Sequence, residues 1–318
     1  MFYICSCFKK VLCSRDFLMA LQSFGDVHTG IKLDVLERYL NAYTTALKER
    51  FEIIFFDAFA GTGSIEMPTK AENHEFQLQL DVVTSDNILE GSARRALKLK
   101  NPFDRYIFVE KMRRKAAELE RLKSEFPTLE DRISVRRGDA NEELNKFCNE
   151  INQKHCRAVV FLDPFGNQIS WETLATIAET GKIDLWYLFP AGLGVNRQIS
   201  EKGVYEQHAQ SLDRLLGTNE WRTSFVEIIT EPDLLGFETR MRKTVNATDI
   251  TIFMQKRMKE IFKGVVLERW LPLGSRNVHM YSLMFATANP SKPAIDLATR
   301  LASAVIDQRD RTQKRKRK

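Results

Sequence analysis

Asp57-Ala-Phe59-Ala-Gly61-Thr-Gly63 follows directly on the apolar run Ile53-Ile-Phe-Phe56. A short apolar run without alternation is the pattern of a strand buried on both faces of a parallel sheet. Glycine accepts positive φ and carries no Cβ, so Gly61 and Gly63 let the chain leave that strand in a tight turn with its backbone close to a ligand. A strand that empties into such a turn suits a nucleotide-like cofactor. Acidic residues recur near later apolar runs, at Phe108-Val-Glu110, Gly138-Asp139-Ala140 and Phe161-Leu-Asp163-Pro164-Phe165-Gly166. A dinucleotide site needs a third glycine where this chain has Glu66, and a P-loop needs Gly-Lys followed by Ser or Thr, which is absent. Both of those nucleotide sites are disfavoured.

The elements that must position these residues alternate. Leu33, Leu36, Leu40, Tyr43 and Leu47 recur at helical spacing, so an amphipathic helix over Ile31 to Arg50 precedes the first strand. Strands are expected at Tyr106 to Glu110, Ile133 to Arg136, Ala158 to Asp163 and Ile183 to Phe189. Helices are expected between them at Arg113 to Ser124, Asn141 to Asn152 and Trp171 to Thr180, the last stopped by Gly181. Such alternation predicts right-handed crossovers and a parallel sheet covered on both faces, with ligands at the carboxyl ends of the strands. Val265 to Leu271 and His279 to Thr287, separated by a Pro- and Gly-containing stretch, complete a seven-strand plan as an antiparallel hairpin.

The expected organisation is an extension over 1–27, a core over 28–193, a mostly helical insertion over 194–263, the hairpin and a closing helix over 264–306, and a basic tail over 307–318. Helices are expected in the insertion at Tyr205 to Leu216 and Asp249 to Phe262, closed by Gly217 and Gly264. Long excursions of this type, like Ser64 to Asp104, commonly shape substrate recognition. The tail carries a net +5 of the formal +6, so the body is nearly neutral and charge concentrates in Lys314, Arg315, Lys316, Arg317 and Lys318. That run could contact phosphates in a salt-sensitive manner or simply remain solvated.

No stretch approaches the about 20 apolar residues needed to span a bilayer. With no secretory signal pattern and an odd cysteine count of five, a cytoplasmic location is expected. Cys5, Cys7 and Cys13 match no common zinc spacing and lack a nearby histidine, so no metal site is expected; Met19 is an alternative start. His74, His155, His208 and His279 show no pair at metal or triad spacing and are read as structural or surface residues.

Asp-x-Phe-x-Gly-x-Gly resembles motif one of S-adenosylmethionine-dependent methyltransferases, particularly the nucleic-acid type. Glu110 falls where that class places the acid ending strand two, Asp139 and Ala140 where it places the adenine-side acid, and Asp163 where it keeps its catalytic loop. The resemblance implies a Rossmann-like fold and S-adenosyl-L-methionine as cofactor. Asp57, Phe59, Gly61 and Gly63 would form the turn at its methionine end, Glu110 would accept from the ribose hydroxyls, and Asp139 from the adenine amino group. Each acid could equally cap the helix that follows it.

Over residues 28 to 290 the chain also resembles the three-Cys-motif partner (TcmP) family. That likeness rests on His28-Thr-Gly-Ile-Lys32, Asp57 to Gly61, Leu89-Glu-Gly91-Ser92, Val109-Glu110, Asp163-Pro-Phe-Gly166 with Trp171, Asp184-Leu-Trp186 and Phe189-Pro190. It implies a separate partner protein that carries three cysteines. The loop after strand four lacks the cysteine that cytosine C5 methylation needs. Asp163, Pro164 and Phe165 offer the parts for amino methylation, a carboxylate with a backbone carbonyl and an aromatic ring. Phe165 stands where the usual second proline would be and Gly166 where the aromatic would be, so a turn with Phe165 in the core is the competing reading. The functions in contention are an active methyltransferase, a non-catalytic partner module that retains the fold, and a nucleic-acid-binding subunit.

Overall fold

The computed structural model describes residues 29–66, 88–200, 204, 206–233, 236–274 and 278–316. Cys5, Cys7, Cys13, Met19, His28, His74, Arg317 and Lys318 lie outside the described residues.

Five parallel strands form the centre of the sheet: β1 (Glu52–Asp57), β4 (Arg105–Glu110), β5 (Ile133–Arg137), β6 (Cys156–Leu162) and β7 (Ile183–Phe189). Their spatial order is β5-β4-β1-β6-β7, so the chain runs outward from β1 in both directions. Consecutive crossovers therefore leave opposite faces on either side of β1, which opens a crevice at the carboxyl ends of β1 and β6. Beyond β7 lies β12 (Tyr281–Thr287), antiparallel to it, and then β10 (Val265–Val266). The single strand expected over Val265 to Leu271 is broken in two. Its second part, β11 (Leu271–Leu273), also pairs with β12, and an edge position lets Pro272 sit there without a donor. The sheet thus has eight strands.

Alternating residues of β1 enter two cores. Ile54 and Phe56 join Phe147, Leu174 and Met254 on one face, while Ile53 and Phe55 join Tyr39, Leu119 and Ile306 on the other. The first layer comprises α4 (Ala140–Ile151), α5 (Trp171–Glu179), α6 (Glu206–Leu216) and α8 (Ala247–Ile261). On the opposite face lie α1 (residues 29–47), α2 (Ser92–Leu97), α3 (Arg113–Glu125) and α9 (Lys292–Lys316). Gly181 and Gly217 follow α5 and α6 with φ of 62° and 64°, the left-handed geometry that ends a helix. The last turns of α9 extend over Lys314, Arg315 and Lys316, the described part of the basic tail.

Leu212, Trp221, Phe225 and Met254 of the insertion belong to the same core as β6 and β7. The insertion is less helical than its sequence suggests. Between the short α7 (Trp221–Ser224) and α8 it forms a hairpin of β8 (Val226–Asp233) and β9 (Gly236–Lys243), with no pairing to the main sheet. The excursion after β1 contains another short pair, β2 (Ser64–Glu66) with β3 (Ile88–Glu90). No helix among the described residues is long and apolar enough to cross a membrane.

Candidate functional site

Register brings the four acidic positions to one edge. Asp57 lies opposite Phe108 of β4 and Phe161 of β6, and Glu110 opposite Arg137 of β5. Hence Asp57, Glu110, Asp139 and Asp163 all stand at the carboxyl ends of adjacent strands. The turn after β1 is tied to both neighbours, since Ala58 N–H donates to the carbonyl of Phe161 and Ala60 N–H to that of Val109, each at 3.1 Å. Gly61 and Gly63 have φ of 63° and 73°. A Cβ on Gly61 would meet open space, whereas one on Gly63 would lie 3.3 Å from Leu122 and 3.4 Å from Leu119. Gly61 thus faces outward and Gly63 fits the core.

Asp57 is fully enclosed. Its Oδ1 accepts from Phe59 N–H at 3.1 Å and its Oδ2 from the Ser92 hydroxyl, which joins the turn to the start of α2. Burial pushes its carboxyl up to about 7, against the hydrogen bonds from Ser92 and Phe59; the Asp163 charge raises it further and Lys32 opposes. Burial thus outweighs the partners.

Phe59, Glu110, Asp139, Ala140, Asn141 and Gln168 line a cleft of about 80 Å³ beside this turn. Glu110 Oε1 accepts from Met112 N–H at 2.7 Å. Asp139 caps α4, with Oδ1 accepting from Asn141 N–H at 3.0 Å, while Lys111 Nζ lies 3.3 Å from Oδ2. Despite partial burial, those bonds hold the Asp139 carboxyl below its ordinary range. The two acids are therefore turn and cap residues whose carboxylates also border a cleft. Buried Asn141 links that cleft to the next loop: its amide donates to Asp139 Oδ1 and the carbonyl of Gln168, and its oxygen accepts from Ser170 N–H and Thr173 Oγ1.

The loop after β6 holds the decisive pairing. Lys32, in the first turn of α1, forms an ion pair with Asp163 through Oδ2, both side chains being mostly enclosed. Asp163 Oδ1 takes no donor from the described residues. Tyr281, at the start of β12, is close enough for the Asp163 charge to add to the burial that lifts its phenol to about 12. Pro164 is buried, Gly166 turns with a φ of 84°, and Phe165 N–H donates to Gln168 Oε1 at 2.7 Å. Phe165 is 87% exposed, so it does not fill the core.

Nothing in the loop sequence pointed to Lys32 or Tyr281, which lie 131 residues before and 118 residues after Asp163. The only cue was the His28 to Lys32 stretch quoted for its family likeness. Among the histidines, His155 packs on Phe51 with ring centres 4.8 Å apart. His279 Nε2 lies 2.8 Å from Ser282 Oγ, and that hydroxyl lies 2.7 Å from Thr251 of α8. His279 therefore helps join the insertion to β12.

Five parallel strands ordered outward from β1, extended by an antiparallel β12 with β10 beyond it, decide the fold. It is Rossmann-like and of the methyltransferase type. No protein-family model matches the chain, and no curated protein matches it. Among solved structures it is similar to protein LPL1258 from Legionella pneumophila at 15% identity, over 83% of this chain and 97% of that one, with a TM-score of 0.41. It is similar to the putative methyltransferase yhhF from Escherichia coli at 12% identity, over 65% and 84%, with a TM-score of 0.29. An O-methyltransferase from Bacillus cereus, solved in complex with SAH, matches at 15% identity over 76% and 91%, with a TM-score of 0.31.

Proposed function

We propose that this chain is an S-adenosylmethionine-dependent methyltransferase related to the three-Cys-motif partner family, and that its acceptor is an amino nitrogen of a nucleic acid. The observation that carries this reading is the convergence at one sheet edge of the Gly61 turn, the Glu110–Asp139 cleft and Asp163, with one oxygen of Asp163 left without a donor from the described residues. The donor set suits the cofactor. Glu110 keeps Oε2 for ribose hydroxyls, Asp139 borders the place an adenine amino group would take, and outward-facing Gly61 leaves room at the methionine end.

The cofactor, when bound, supplies an electrophilic methyl group on a sulfonium. The protein's own contribution is to orient the acceptor. Asp163 Oδ1 would accept one hydrogen of an amino group and the second lone pair of the Pro164 carbonyl, which already accepts from Gly166 N–H at 3.1 Å, the other, while exposed Phe165 would offer a face for a planar base. Lys32 fixes the other oxygen of Asp163. A separate three-Cys-motif protein, or the basic residues Lys314 to Lys318, would help present the nucleic acid.

A second reading, a non-catalytic partner module, is favoured by the same Lys32–Asp163 pair, because an ammonium already occupies the carboxylate that catalysis needs. Two measurements separate them. Calorimetry with S-adenosylmethionine should show binding that weakens in Glu110→Ala; unchanged affinity removes the assigned cleft. Transfer of tritiated methyl to DNA or RNA, abolished by Asp163→Ala, supports the enzyme, and absence of transfer to either leaves the partner module.

A further inference from the structure

A second cavity lies at the opposite end of the sheet. About 220 Å³ in volume, it is bounded by the end of α1, the amino ends of β6 and β7 and the first turns of α9. Leu47, Leu297 and Leu301 give it an apolar wall, and Arg50, Arg157 and Asp184 give it charge. The charges differ in how far they are already satisfied. Asp184 is capped, since Tyr39 Oη donates to its Oδ2 at 2.6 Å and the Thr287 hydroxyl provides a further hydrogen bond. Lys182, also at the cavity, spends its ammonium on the carbonyls of Ile151, Asn152 and Lys154 at 2.8, 2.6 and 2.7 Å.

The arginines are not satisfied. The Arg157 guanidinium makes one hydrogen bond, to the carbonyl of Cys156 at 2.8 Å, and its carbon sits 4.3 Å from the centre of the Phe51 ring. The Arg50 guanidinium has no hydrogen bond or ion pair among the described residues, its backbone N–H alone donating, to the carbonyl of Leu47 at 2.9 Å. A guanidinium offers five N–H donors in a planar fork that matches a carboxylate. Two cations with unused donors, an acid whose carboxylate is already engaged by the hydroxyls of Tyr39 and Thr287, and an apolar wall select one kind of guest.

We propose that this cavity is a second binding site, for a small organic anion with an apolar body, its carboxylate held between Arg50 and Arg157 and its body against Leu297 and Leu301. The size suits a single aromatic ring or a short branched chain. Because the cavity is separated from the Glu110–Asp139 cleft by the length of the sheet, this site is independent of the methyltransferase reading.

Sodium benzoate and its charge-reversed counterpart benzylamine, titrated into the full chain and followed by saturation-transfer NMR, test it. Benzoate should bind in the millimolar range or tighter and benzylamine should not. Arg50→Ala, at an exposed position that leaves the core intact, should weaken benzoate about tenfold, the effect of losing a charge-assisted hydrogen bond. Ala294→Trp, which fills the cavity, should abolish it. Absence of benzoate binding, equal binding of benzylamine, or affinity unmoved by Arg50→Ala would overturn the proposal. Calorimetric binding of S-adenosylmethionine to the same variants reads the other site separately.

Discussion

The two ends of the central sheet each enclose an aspartate. At the carboxyl end, Asp57 is lifted to about 7 by burial and sits within reach of a second carboxylate, Asp163, and the ammonium of Lys32. At the amino end, burial lifts Asp184 to about 6 and its neighbours are the hydroxyls of Thr287 and Tyr39, with Arg157 farther off. Both residues are costly to ionise, for the same reason. Both also accept from a hydroxyl; the difference is that Asp184 feels one neighbouring charge, Arg157, whereas Asp57 belongs to a cluster of three groups, with Asp163 and Lys32, whose balance an incoming charged group would alter. Raised acids of the first kind brace a fold, and those of the second kind mark a site that reacts to its contents.

The comparison breaks most readily at Asp163. Asp163→Ala should lower methyl transfer at least about hundredfold, the usual scale for a positioned acid–base group, with unfolding still cooperative by urea titration. Next comes the pH dependence of stability. Asp57 has a folded pKa near 7 against an ordinary 3.8, so between those values the native state holds the proton that the unfolded chain has lost, and stability falls as pH rises. Asp57→Asn removes this component. The stability of the variant relative to the parent should therefore improve by as much as about 1.4 kcal/mol per pH unit through that window, as measured by urea unfolding at several pH values.

Asp184→Asn should show the same sign over the shorter interval from 3.8 to about 6, and it should leave S-adenosylmethionine affinity unchanged by calorimetry. If it weakens the cofactor, the two ends are not functionally distinct. Glu110→Gln should weaken the cofactor about tenfold, one lost charge-assisted interaction, with the thermal midpoint unmoved. The smallest effect on stability belongs to Phe165→Ala. At 87% exposure this change should stay within about 0.5 kcal/mol of the parent, while reducing the affinity for a single-stranded oligonucleotide.

The parallel sheet was legible because its strands are uninterrupted apolar runs closed by glycine turns, a pattern that burial on both faces imposes. The expected Ile183 to Phe189 strand has those bounds in the structure, and the Arg113 helix extends one residue beyond Ser124. The β8–β9 hairpin was not legible. Glu227, Ile228, Thr230 and Arg242 are exposed, Ile228 by 70%, so the ribbon residues whose burial is described show no buried face of the kind that writes an alternating pattern into a sequence. At the candidate site, the acids were visible as strand ends but their partners were not. Ser92 reaches Asp57 across the excursion after β1, and Lys32 reaches Asp163 from the first helix. Contacts of that kind follow from how layers stack, which local spacing does not encode. The cavity near Arg50 was hidden for the same reason, since the elements that wall it are far apart in the chain.

Asn141 ties the edge of one loop to the beginning of the next through four hydrogen bonds from a single amide. Its consequence is mechanical. The loop that carries Asp163 to Gln168 cannot swing away from the Asp139 cap without breaking bonds inside the protein, so occupancy of the cleft and the pose of the loop share one hinge pin. A ligand that tightens around Asp139 would stiffen Gln168, and through it the backbone of Phe165.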